Sequence, residues 1–241
     1  MPATADSILA HLSRVDAERL RRQTAPGLAA KVDAIKRYQQ RRFSLTYADL
    51  LTTARYGAAA RFFLDELYGP GDFSTRDSQF ARVVPAIVRL FPREIVDTVS
   101  ALAGLHDLSE SLDTAMGMVL TSVQVDAQAY TAAWQRASDP TQRGRQISLT
   151  VSLGWSLDQL TRKTLLRKSL RMMRRPALAA GLGDLQGLLE RGFDAFATMR
   201  GAQDFLAMVE SREQNLATRL FAANLSGREW SRADSALLGL P

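Results

Sequence analysis

The chain of 241 residues has no cysteine, which excludes a disulfide framework, a thiolate zinc site, an iron–sulfur cluster and a sulfur nucleophile. Lysine is scarce, standing only at 31, 36, 163 and 168, and asparagine only at 215 and 224. No stretch approaches 18 uncharged apolar residues, so no membrane-spanning helix is expected. The opening residues meet Asp6, His11 and Arg14 before an apolar leader can form, and a soluble cytoplasmic protein is the expectation. The G-x-x-x-x-G-K-[ST], G-x-S-x-G and H-E-x-x-H motifs are missing. Gly181, Gly183 and Gly187 imitate a dinucleotide fingerprint, but the third glycine comes one position late and an arginine-rich stretch, not a buried strand, precedes it.

What is present is enough apolar material, 46%, to build a core without staples, with 23% charged residues around it. The net charge of +6 is unevenly placed. Residues 1–60 hold ten basic against five acidic residues, 61–125 five against nine, 126–180 ten against three, and 181–241 six against eight. Acidic and basic segments can answer one another inside the fold, so the basic balance alone does not imply a nucleic-acid partner.

Apolar residues recur at helical spacing, as in Ile8, Leu9, Leu12 and Val15, and sustained alternation is hard to find. The expected fold is therefore all-α: one helical-bundle domain over 1–241 with about seven or eight helices. Its parts are an acidic half at 46–125, a basic amphipathic helix at 147–175 and C-terminal helices over 178–223, broken near Gly201. Thr46 is expected to cap a helix running to Tyr68, where Gly69 and Pro70 end it. Ser74 with Asp77 reads as an N-cap and its acidic N3 partner, opening a helix that Pro85 bends. Pro92 and Glu94 mark the start of a helix to about residue 120, with Gly104 and Gly117 as weak points. Tyr130 and Trp134 share a shorter one.

Residues 54–85, with LFPREIV at 90–96, LAGLHDLSESLD at 102–113 and a further stretch at 181–206, resemble the FFLEELY motif family of proteobacterial proteins. The motif stands here as Phe62-Phe63-Leu64-Asp65-Glu66-Leu67-Tyr68. The resemblance implies a bacterial source, consistent with the preference for arginine over lysine, and an all-helical fold. It brings no reaction, ligand or site residue with it.

Four groups of residues are candidates for function. The motif places Phe62, Phe63 and Leu67 on an apolar face, explained either by core packing or by a pocket lined by Phe63 and Tyr68, with Arg61 and Asp65 free to pair along the helix. Asp65, Glu66, Asp72 and Asp77 cluster around one loop, either as caps and surface pairs or as a cation or acid–base site. His106 shares a helix stripe with Glu110 and Asp113, so Glu110 can orient it. The chemical reading makes His106 an axial ligand of haem or another tetrapyrrole; the plain one is a hydrogen bond to Glu110 at the core edge. A di-iron bundle fails because Ala103 stands where a Glu-x-x-His pair needs its glutamate.

The clearest signal is residues 157–175. At 100° per residue, Leu165, Leu166, Leu170, Met172 and Met173 share one side, and Lys163, Arg167, Lys168, Arg171, Arg174 and Arg175 the other. Such a helix either solvates its cations or docks them on a protein, an anionic lipid surface or a phosphate backbone. Aromatic residues are not interleaved with the cations, which argues against a base-stacking surface. Elimination favours a non-enzymatic protein that binds another macromolecule, a protein partner or a second copy first, through this basic face or the acidic loop. The alternative is a tetrapyrrole or other apolar ligand held by His106. An enzyme acting through Asp65, Glu66, Asp72 or His106 stays open, without geometry in its favour.

Overall fold

Local signals set several helix ends directly. In the computed structural model, which describes residues 3–66, 73–225 and 230–241, Thr4 and Ser7 form a reciprocal cap that opens α1 (Ala5–Thr24). Gly27, left-handed at φ 73°, turns the chain into α2 (Leu28–Thr46). Two short helices follow, α3 (Ala48–Thr52) and α4 (Gly57–Glu66), and then α5 (Ser74–Leu90), which continues through Pro85. Pro92 opens α6 (Arg93–Val119), and Asp126 accepts the amide of Ala129 to cap α7 (Ala127–Ala137). Asp139 and Gln142 cap α8 (Pro140–Thr161) reciprocally, with Pro140 at its first position. Then come α9 (Thr164–Met172), α10 (Arg174–Ala179), α11 (Gly183–Met199), α12 (Gln203–Ala222) and α13 (Arg232–Leu238).

The described residues are all-α with no strand, but hold thirteen helices instead of the seven or eight expected. Some of the extra breaks fall at glycine, as between α10 and α11 where Gly181 is left-handed at φ 70°, but those at Tyr47 and at Arg162–Lys163 have no glycine or proline to announce them. Thr46 ends α2 rather than starting a helix: its hydroxyl donates to the carbonyl of Arg42, while Thr53 takes the amide of Tyr56 just ahead of α4. Ser74 is not a cap either, for Phe73 holds that position and Asp77 turns inward. The expected basic helix at 147–175 is interrupted at Arg162–Lys163, where Lys163 is extended. The buried Asp158 accounts for that end, accepting from Arg162 at 2.6 Å and from the amide of Ala202 at 3.1 Å. The break near Gly201 is as expected, with Arg200 and Gly201 both at positive φ.

Helix α6 runs through the middle, flanked by α1, α2, α7 and α8. Helix α8 lies antiparallel to it, Arg143 reaching the sulfur of Met116 and Gln146 the hydroxyl of Ser109. Gly117 is not a weak point but a close approach, since a Cβ there would stand 2.6 Å from a methyl of Val32 on α2. Three apolar clusters result. One joins Phe43, Phe63, Phe196 and Phe205; the second joins Tyr38, Met116, Tyr130, Trp134 and Leu216; the third joins Ile8, Phe80, Val84 and Val96. In the second, Tyr38 and Tyr130 stack at 4.5 Å and the guanidinium of Arg143 lies 3.7 Å over Trp134.

Candidate functional site

Helix α9 meets the rest of the protein with its cations. Leu166, Arg167, Leu170 and Arg174 recur at helical spacing and turn toward α11, where Arg167 Nη2 lies 2.6 Å from Asp194 and Arg174 binds Glu190 with two nitrogens. Gln186 donates to the carbonyl of Leu170 at 2.7 Å, closing the contact. Arg171 reaches Asp194 at 3.9 Å, and Lys163 pairs with Glu94 on α6 at 2.5 Å. The hydrogen bonds from Arg174 and Gln186 hold the Glu190 carboxyl below its ordinary range. Four of the six expected partner-binding cations are thus engaged by the chain's own carboxylates. Among the described residues, Lys168 and Arg175 have no ion pair within 4.0 Å.

The opposite stripe faces solvent. Leu165, Lys168 and Met172 follow one another at i, i+3 and i+7, Leu165 and Met172 are each 77% exposed, and no residue of α9 is buried. Met173 and Leu178 continue this exposed row into α10. The projection that put Leu165, Leu166, Leu170, Met172 and Met173 on one side is therefore divided by the fold, part of it facing solvent. Only Leu166 and Leu170 are half-buried, on the side where Arg167 meets Asp194.

His106 makes its hydrogen bond elsewhere than to Glu110. Its Nε2 lies 2.7 Å from Asp77 on α5, and Arg19 of α1 pairs with the same carboxylate oxygen. Burial would raise the Asp77 carboxyl, but His106 and Arg19 hold it below its ordinary value. Glu110 instead accepts from Arg22 at 2.5 Å and from Lys36 at 2.6 Å. Burial opposes ionisation there too, yet Lys36 and Arg22 bring Glu110 down from 4.5 to about 2. Asp113, one turn on, accepts from Gln39 at 2.9 Å, and burial pushes its carboxyl up. His11 lies over Gly104 with Nδ1 2.7 Å from Asp107, an oxygen that Arg14 shares. These groups form a polar seam where α1, α2 and α5 meet α6.

Phe63 is buried, its ring 5.7 Å from Phe205 and 6.0 Å from Phe196, so it belongs to the core and is not among the residues lining either groove described below. Tyr68 and Asp72 lie outside the described residues. Arg61 donates to the carbonyl of Leu51 rather than pairing with Asp65. Glu66 accepts from Arg76 at 2.8 Å and Arg191 at 2.6 Å, so of the expected acidic cluster Glu66 and Asp77 are both held by cations. An open groove of about 560 Å³ between α4 and α11 is lined by Phe62, Asp65, Glu66, Arg191 and Asp194 among others. A smaller one of about 290 Å³ lies against Arg212 and Arg219. His106 lines neither, and with Nε2 turned to Asp77 the tetrapyrrole reading has no geometric support. Among the described residues no three histidine or carboxylate side chains gather as metal ligands do.

A family model described as a domain of unknown function (DUF8198) matches residues 18–226. The chain belongs to this family. No curated protein and no solved structure matches it. The span of DUF8198 takes in Arg19, Arg22, Lys36, Glu110 and all of α9 and α10, whereas His11 and Arg14 precede it.

The sequence reading missed Arg19, Arg22, Lys36, Asp107, Asp158 and Glu190 as partners. The stripe of His106, Glu110 and Asp113 was the available signal, since three titratable groups on one helix face need cations opposite. Which cations, from helices 60 to 100 residues away, the stripe cannot say. No helix among the described residues is long and apolar enough to cross a membrane.

Proposed function

We propose that this is a non-enzymatic helical protein that docks on another macromolecule through the corner formed by α9 and α10, on the cytoplasmic side of the cell. One observation carries the reading: the nine residues of α9 include no buried one, and Leu165 and Met172 point outward beside Lys168. A helix placed that way contributes little to folding through Leu165 and Met172, which gain almost nothing from burial. The acidic loop is the weaker docking surface, since Glu66 is already held by two arginines. Kinship with the FFLEELY motif proteins belongs to the same proposal; of the motif's described residues, Phe63 joins the core and Phe62, Asp65 and Glu66 line the groove.

Photo-crosslinking in cells tests this whatever the partner is. A photoreactive residue at 165 or 172 should give discrete adducts, while the same residue at the exposed Leu20 on α1 should give none. Equal yields at all three positions would end the proposal.

A further inference from the structure

We infer that the occupant of the α9–α10 corner is the surface of an anionic lipid bilayer. The inference rests on the docking proposal and adds its partner. Charge complementarity is the first argument. Residues 159–183 contain seven arginines and lysines and not one acidic residue. The carboxylates that answer them, Glu94, Asp158, Glu190 and Asp194, all come from outside this segment, and Arg167 and Arg174 are held against α11. Toward solvent the corner shows Lys168 and Arg175, with Arg162 also exposed at the start of the segment. A negative surface attracts such a cluster from within a Debye length.

The second argument is the pattern of apolar side chains. Leu165 and Met172 flank Lys168 on one stripe, with Ser169 between them, and Met173 and Leu178 follow. The Lys163–Glu94 pair brings the start of α6 to the start of α9, and the exposed Leu90 and Phe91 immediately precede that end. Flexible aliphatic side chains alternating with long cations suit the boundary between headgroups and acyl chains, where the cation stems extend back to the phosphates. A nucleic-acid backbone rewards the cations but gives Leu165 and Met172 nothing to contact, and no aromatic residue stands on α9 or α10 for a base to stack on.

The absence of cysteine makes the test clean. Ser169→Cys introduces a single thiol on the outward stripe for an environment-sensitive dye, and Ser13→Cys on the exposed side of α1 serves as control. With the full chain and vesicles of phosphatidylcholine containing about 30% phosphatidylglycerol, the dye at 169 should shift to the blue and brighten. The dye at 13 should not respond, and neither should respond to phosphatidylcholine alone. Co-sedimentation should weaken as salt rises. The double variant K168E/R175E should lose at least about tenfold in partitioning, and L165S/M172S should lose most of it with an unchanged circular dichroism spectrum. No response at 169, or binding indifferent to salt and to both variants, overturns the inference. If vesicles fail while crosslinking from 165 yields protein or nucleic-acid adducts, or a dimer that L165S/M172S dissolves, the lipid assignment falls and the docking proposal stands. If vesicles and crosslinking both fail, both are overturned.

Discussion

The seam along α6 and the corner at α9 use the same residue types in opposite ways. In the seam, Arg22 and Glu110 are each less than a tenth exposed and pair at 2.5 Å, with Lys36 and Thr114 as further partners. At the corner, Arg167 and Asp194 pair at 2.6 Å with both side chains about half exposed, while Leu165 and Met172 face water. An ion pair stripped of water is costly to break, because removing one partner strands the other in low dielectric. A pair left in water is worth little, up to about 1 kcal/mol. The seam is therefore intolerant of losing one partner, and the corner tolerates such a loss.

The largest effect should come from breaking the seam. Glu110→Ala leaves Arg22 and Lys36 facing one another without an acceptor carboxylate and should cost about 3–5 kcal/mol in urea unfolding. A loss below about 1 kcal/mol would mean that water reaches these cations.

Acid should act on the same place. Glu110 is ionised in the folded state down to about 2 against an ordinary value of 4.5, so the unfolded chain takes up a proton first as pH falls. Its contribution is fully present above about 4.5 and is lost on descending toward 2, amounting to roughly 3 kcal/mol. Asp77 works in the same direction. Unfolding followed from pH 6 to pH 2 should show the loss in the native protein and a reduced slope in Glu110→Gln.

Asp113 should give the opposite sign. Its carboxyl is raised by burial, so the charged form opposes folding at neutral pH and the opposition eases as pH falls through the raised value. Asp113→Asn keeps an acceptor for Gln39 and removes the charge, and should stabilise by about 1 kcal/mol at pH 7. Destabilisation would show that Lys36 needs both carboxylates.

At the corner the effects should be small. Arg167→Ala should change stability by less than about 1 kcal/mol. The pair L165S/M172S should stay within about 0.5 kcal/mol of the parent in thermal unfolding while changing what the protein binds. A large drop would place these side chains in a core and erase the contrast with the seam.

Much of the fold was legible where the signal was local. Pro92 with Glu94 and the glycine at 201 mark helix ends through backbone preference and dipole, and the structure places breaks at both. The stripe of His106, Glu110 and Asp113 was legible as a polar face, but its assignment to an internal His106–Glu110 contact was not correct. Asp77 read as a cap because Ser74 precedes it at the right spacing; the competing pull of His106 and Arg19 comes from helices 29 and 58 residues away. The end of α8 was invisible for the same reason, since Asp158 is held by the amide of Ala202.

By itself the sequence determined that the chain is helical, that cysteine chemistry is absent and that 157–175 carries an excess of cations beside an apolar stripe. Spacing and composition suffice for these, because they depend on neighbours within a turn or two. Only the tertiary structure decided which side of α9 faces water and which carboxylates each arginine meets. A helix has no intrinsic roll about its axis. Here the contacts of Leu166, Arg167 and Leu170 with the rest of the fold go with one roll, which leaves Leu165 and Met172 outside.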